Sequence, residues 1–180
     1  MTFGLHCPAT MRLSNKILIT EDRIRGRVSE LAAAIAADTP ADGVLSVLAL
    51  MDGAFIFCAD LVRRLPMPVN VAMVPLRSVR RGGDPSQIVL PPEFPVRDSD
   101  LLVCEDILDT GQTLSALRRH LEPLGPRRIR IAVLLDKPAR REVEVMPEYV
   151  GFTVPDRWVV GYGLDSDGLY RNLPYVSFVE

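Results

Sequence analysis

Long apolar runs are missing from this chain: none approaches the ~20 residues a membrane-spanning helix requires, so no segment is expected to cross a bilayer. No basic-then-apolar leader opens the sequence. Cysteine is scarce, with three residues, Cys7, Cys58 and Cys104. They are odd in number and widely separated, which argues against a disulfide framework or a zinc site and fits a reducing cytosol. A strong excess of either charge is lacking too. A formal net charge of -2 supplies no bulk attraction for nucleic acid or an anionic membrane, so neither is an expected partner. Internal repeats and low-complexity segments are absent. These absences leave a cytoplasmic protein, and any basic site in it must be local.

What is present is an ordinary globular composition: 180 residues, 48% hydrophobic and 24% charged. That length is most simply one domain, 1–180, with a substantial core. Its most informative stretch is LLVCEDILDTGQTL, residues 101–114. Leu101-Leu102-Val103-Cys104 is a short continuous apolar run, suited to a strand buried on both faces of a parallel sheet. Glu105 and Asp106 then stand at its carboxyl end, where ligands bind in open α/β sheets. The turn Asp109-Thr110-Gly111-Gln112-Thr113 leads into a helix marked by Leu114, Leu117 and Leu121.

Such a turn suits phosphate. Backbone N–H groups at a helix N-terminus attract an anion, glycine lets it approach, and the Thr110 and Thr113 hydroxyls add donors. Carboxylates repel phosphate, so Glu105 and Asp106 need sugar hydroxyls or magnesium as partners. Acids for the sugar and amides for the phosphate describe a ribose 5-phosphate. The competing reading is a solvated strand end followed by an ordinary helix cap.

Around this window the chain alternates strands and amphipathic helices. Ile17-Leu18-Ile19 is read as a short strand. Thr20 is placed as the N-cap of a helix over 21–37 whose apolar face is Ile24, Val28, Leu31, Ala32 and Ile35. Residues 44–51 form the most apolar strand. Asp52-Gly53 end it before a helix carrying Phe55, Ala59, Leu61 and Val62. Residues 69–75 are a further strand, followed by a basic, glycine-containing segment, 76–83, read either as a mobile lid or as a solvated hairpin whose far arm is 87–90. Arg118, Arg119 and His120 fall in the last turn of the central helix, where they favour its dipole. His120 is read as a surface cap, not a catalytic group. Residues 130–135 are another buried strand, with Asp136-Lys137 at its carboxyl end. The fold class is therefore α/β, a mainly parallel sheet with helices on both faces.

The window 101–114 resembles the phosphoribosyl-diphosphate motif of the type I phosphoribosyltransferases. LLDKPARR, Tyr149-Val150-Gly151-Phe152 and VGFTVPDRWVVGYGLDSDGLYRNLPYV are similar to the hypoxanthine-guanine phosphoribosyltransferase family. The resemblance implies transfer of 5-phosphoribosyl from phosphoribosyl diphosphate to a 6-oxopurine with Mg2+, and a small hood from about 1–20 and 150–180. It implies that Glu105 and Asp106 hold the ribose, that residues 109–113 hold the 5-phosphate, and that Asp109 takes a proton from purine N7. Asp52 and Gly53 would receive the pyrophosphate, at a cis peptide between Met51 and Asp52, with Arg171. Lys137 would meet the base oxygen, Trp158 the base face and Val159 its edge. Glu105, Asp106 and Asp165 would be the metal's acids, and Ser78 a residue of the flexible loop. A homodimer or homotetramer is expected. Two departures stand out: Asp52 lies where the family often has lysine, and Val79 where it usually has tyrosine. The competing reading from another class is a phosphoribosyl-diphosphate-sensing regulatory protein that binds nucleic acid, through Arg77, Arg80 and Arg81. A metabolic-complex subunit without activity is a third.

Overall fold

A computed structural model of the chain describes residues 12–40, 42–75 and 88–180. The expectations placed on Cys7, Arg77, Ser78, Val79, Arg80, Arg81 and Gln87 lie outside the described residues.

The first helix, α1, is Glu21–Ala37. Thr20 caps it, its hydroxyl accepting from the Arg23 N–H at 3.4 Å, and Glu21 and Asp22 occupy the dipole-favoured first turn. Its buried residues are Ile24, Val28, Leu31, Ala32 and Ile35, the stripe expected from the 3.6-residue period. Then come β1 (Leu45–Met51), α2 (Phe55–Val62), β2 (Val69–Pro75), β3 (Asp100–Leu108), α3 (Gln112–Leu121), β4 (Arg128–Asp136) and β5 (Tyr149–Thr153). The five strands form one parallel sheet in the order β2-β1-β3-β4-β5.

Both faces of this sheet are apolar, as a parallel sheet covered by helices requires. Val47, Ala49, Leu102 and Cys104 meet α1 and Phe57, Cys58 and Leu61 of α2 on one face. Leu48, Leu50, Leu101 and Val103 meet Leu114, Leu117 and Leu121 of α3 on the other. The chain runs from β1 outward to β2, then returns to lay β3 on the opposite side of β1. The order reverses there, which opens a crevice at the carboxyl ends of β1 and β3. The β1–β3 pairing ends at Ala49–Cys104, one residue before Glu105.

A second, two-stranded sheet pairs β6 (Val159–Val160) with β7 (Ser177–Phe178), antiparallel. Isolated bridges join Leu13 to Val179 and Ile19 to Val176, bringing the two ends of the described chain together. Among the described residues no helix is long and apolar enough to cross a membrane.

Several local expectations require correction. Residues 17–19 form no strand: Ile19 alone makes an isolated bridge, to the distant Val176. Residues 88–90 form no strand. Helix α2 does carry Phe55, Ala59, Leu61 and Val62, but it buries Phe57, Cys58 and Leu61, with Phe55 and Ala59 exposed. In so short a helix, the turn that delivers it sets which side faces the sheet. Strand β3 runs on to Leu108, so Glu105 and Asp106 lie inside it and are buried, and α3 begins at Gln112, so the last two residues of the turn 109–113 already belong to the helix.

Candidate active site

A pocket of about 630 Å³ lies where β3 gives way to α3, within the size range of small-molecule sites. Glu105 and Asp109 line it with the turn Thr110 to Thr113, and Trp158 and Val143 reach it from elsewhere in the chain. The helix presents its N-terminal residues, Gln112 to Ala116, to this space, and Arg119 also lines it, while Arg118 and His120 stand in the last turn outside it. The positive end of the α3 dipole therefore faces the pocket. Gly111 is left-handed, with φ 87°, and a Cβ there would stand 2.5 Å from the Val143 carbonyl oxygen. Both facts demand glycine, independently of any ligand.

The turn is held from above by the segment after Lys137. A short 3-10 turn, Pro138–Arg140, follows β4. Arg140 Nε donates to Asp109 Oδ1 at 2.7 Å. Arg141 donates to the Leu108 and Asp109 carbonyls and pairs with Asp136. The N–H groups of Glu142 and Val143 both donate to the Thr110 carbonyl, at 2.9 and 3.0 Å. Gln112 Nε2 reaches the Glu142 carboxylate at 2.6 Å. Residues 140–143 thus strap the turn 109–112 in place. Sequence reasoning missed this strap; its only signal was the paired arginines after Lys137.

Glu105 and Asp106 have different surroundings. Glu105 lines the pocket. Asp106 packs against the β1–α2 turn: a Cβ added to Gly53 would overlap its carboxyl group, and its Oδ1 accepts from the Ile107 N–H at 2.8 Å. Asp52 is exposed beside this contact, and the Met51–Asp52 peptide is cis, as the resemblance implied. Gly163, with φ 101°, packs against the Gly53 carbonyl.

Arg171 donates to the Gly163 carbonyl at 2.6 Å and pairs with Asp165 at 2.9 Å. The second Asp165 oxygen accepts from the Gly168 N–H. Trp158 keeps 58% of its surface exposed, so it is not a core residue, and its indole N–H donates to the Asp165 carbonyl. Val159 is buried in β6 opposite Phe178. Lys137 is 7% exposed and donates from Nζ to the Arg157 carbonyl at 2.6 Å. Burial lowers its pKa, against the opposing pull of Asp109 and Asp156.

Two groups emerge. Glu105, Asp109 to Thr113 and Trp158 share one pocket, while Asp52, Gly53 and Asp106 meet at the neighbouring turn, with Asp165 and Arg171 behind it through Gly163. Among the described residues, no three His, Cys, Asp or Glu side chains gather as a metal cage. Glu105, Asp106 and Asp165 therefore do not form such a cage by themselves. Hard oxygen donors of this kind fit magnesium, which commonly takes one or two carboxylates and completes its shell with substrate phosphates.

A family model described as phosphoribosyl transferase domain matches residues 19–167. The chain is 39% identical over 173 residues to the hypoxanthine phosphoribosyltransferase of Salmonella typhimurium, covering 94% of this chain and 97% of that protein. It is also 39% identical over 168 residues to the hypoxanthine-guanine phosphoribosyltransferase of Aquifex aeolicus, covering 92% and 94%. Among solved structures, a Bacillus anthracis hypoxanthine-guanine phosphoribosyltransferase superimposes with a TM-score of 0.83 at 32% identity, covering 95% of this chain and 99% of that one. The hypoxanthine phosphoribosyltransferase of Trypanosoma cruzi gives 0.82 at 33% identity, covering 92% and 96%.

Proposed function

Because the chain belongs to the hypoxanthine-guanine phosphoribosyltransferase family, we propose that it transfers 5-phosphoribosyl from phosphoribosyl diphosphate to a 6-oxopurine. The products are the nucleoside monophosphate and pyrophosphate, the chemistry of purine salvage. One observation carries this reading: a glycine turn at a helix N-terminus, a buried acid and an exposed indole line the same pocket. They suit a phosphate, a sugar and a flat base respectively.

In this reading the turn 109–113 holds the 5-phosphate through the N-terminal amides of α3 and the threonine hydroxyls, while Glu105 and Asp106 face the ribose hydroxyls. Asp52 and Gly53 receive the pyrophosphate through backbone N–H groups, with Arg171 nearby. Trp158 stacks on the base, Val159 borders its edge, and Lys137 donates to its exocyclic oxygen. As the bond from ribose to pyrophosphate breaks and that to purine N9 forms, the N7 proton passes to the Asp109 carboxylate. Magnesium, held with Glu105, Asp106 or Asp165 among its ligands, would neutralise charge on the pyrophosphate.

We also take the chain as one domain, 1–180, with its two ends forming a hood, and as a cytoplasmic homodimer or homotetramer. The sensor and inactive-subunit readings lose ground, since the relatives carry transferase names along nearly the whole chain. Purified protein assayed with hypoxanthine, guanine, xanthine, adenine and uracil tests the proposal. Nucleotide should form from the 6-oxopurines and not from adenine, which offers an amino group where Lys137 needs an acceptor. No product from any base would refute it. Asp109→Asn should bind both substrates and slow single-turnover nucleotide formation by about 100-fold; an unaltered rate removes Asp109 from the mechanism.

A further inference from the structure

Resting on the reading of Asp109 as proton acceptor, we propose that Arg140 is a positioning residue for the transfer, holding the Asp109 carboxylate in line for the base while itself held by Asp156. Arg140 Nε donates to Asp109 Oδ1 at 2.7 Å, and Arg140 Nη1 lies 3.7 Å from Asp156 Oδ1. Binding Asp109 through Oδ1 stops rotation of the carboxylate and leaves Oδ2 to meet the ligand. Arginine is charged throughout the working pH range, so the contact persists wherever Asp109 is ionised. When Asp109 takes a proton its pull on Arg140 weakens, and Asp156 remains as a second anionic partner for the cation.

The placement of Arg140 supports a role beyond stability. It sits on the 3-10 turn that begins with Pro138, whose ring restricts the backbone, and its own N–H donates to the Lys137 carbonyl at 3.1 Å. Lys137 Nζ in turn donates to the carbonyl of Arg157, the neighbour of Asp156. The two groups that would read the base oxygen and take the N7 proton are thereby tied to one turn and one anchoring segment. Arg140 is 46% exposed, Asp109 39% and Asp156 53%. Ion pairs so open to solvent add little to folding, so the effect of losing this one should fall on the reaction.

The test compares Arg140→Ala, Arg140→Lys and Arg140→Ala in an Asp109→Asn background, by single-turnover nucleotide formation, KM for phosphoribosyl diphosphate and thermal unfolding. Arg140→Ala should slow the single-turnover rate roughly tenfold, between the small effect of an exposed ion pair and the larger one of a misplaced catalytic group. KM for phosphoribosyl diphosphate and Tm should stay near their wild-type values, and lysine should restore part of the rate. In the Asp109→Asn background the alanine should have almost no further effect, since the two residues act as one unit. A wild-type rate for Arg140→Ala, full additivity with Asp109→Asn, or a KM rise as large as the rate loss would each overturn the proposal. A wild-type rate for Asp109→Asn alone would instead overturn the underlying reading.

Discussion

Gly53→Ala tests most directly how the crevice is built. Gly53 packs closely on the Asp106 carboxylate, and a Cβ placed on it would overlap the carboxyl group, with Oδ1 at 3.1 Å and Oδ2 nearer still. Ordinary contact between such atoms begins at about 3.5 Å, so the carboxylate or the turn must shift by more than ~1 Å. Asp106 has little room to yield, being 7% exposed with Oδ1 bound to the Ile107 N–H. Crowding of this kind costs about 1–3 kcal/mol. In a chain of this size each kcal/mol lowers Tm by roughly 2–4 °C, so a fall of about 5 °C is expected in differential scanning calorimetry. A displacement of ~1 Å at a reacting centre can cost about 100-fold in rate, and single-turnover nucleotide formation should show a loss of that order. Gly26→Ala is the control. Gly26 lies inside α1 with nothing within 4 Å of an added Cβ, so alanine should raise stability by about 0.5–1 kcal/mol without affecting the rate. Wild-type Tm and rate in Gly53→Ala would refute the claim that this contact holds Asp106. A lower Tm with an unchanged rate would refute its connection to the reaction.

Two further outcomes follow from buried groups. Burial lowers the Lys137 pKa, so the charged ammonium, the stronger donor to a base oxygen, should be lost as pH rises, below the value of about 10.4 for a free lysine. KM for hypoxanthine should therefore begin to climb at a lower pH than a free lysine would give, and Lys137→Met should remove that part of the climb; a wild-type profile identical to that of Lys137→Met would count against Lys137 as the donor. By the same shift the unfolded chain holds the extra proton across the window between the two pKa values, so this group makes folding more favourable as pH increases through it. Tyr162 is 6% exposed, and its hydroxyl donates to Asp60 Oδ2 at 2.6 Å. Burial and this bond hold the phenol well above its usual pKa. Tyr162→Phe should cost about 1 kcal/mol and lower Tm by roughly 3 °C, and an unchanged melting curve would show that the bond contributes nothing.

Much of the fold was legible where the signal is local. The stripe from Ile24 to Ile35 and the Thr20 cap both matched the structure, because periodicity and capping depend on residues three or four apart. Strands β1, β2 and β4 are short apolar or alternating runs that read directly. Errors arose where partners lie far off in sequence. Ile19, read as part of a strand, takes its single bridge from Val176.

Within the site, the chain's own order of residues determined the turn Asp109 to Thr113, the acids Glu105 and Asp106 before it, and Lys137 at a strand end, because strand, turn and helix N-terminus are contiguous there. Tertiary structure decided the rest. Placing β3 beside β1 brings Asp106 against Gly53, and returning the chain after β4 lays Arg140 to Val143 across the turn. Gly111 shows the difference most clearly. Its sequence context suggests glycine for a phosphate's approach, whereas its left-handed φ and the Val143 carbonyl 2.5 Å from a would-be Cβ require glycine before any ligand arrives. A linear pattern specifies which groups follow one another along the backbone, but the distance between Gly111 and Val143 exists only after the intervening helix and strand have packed.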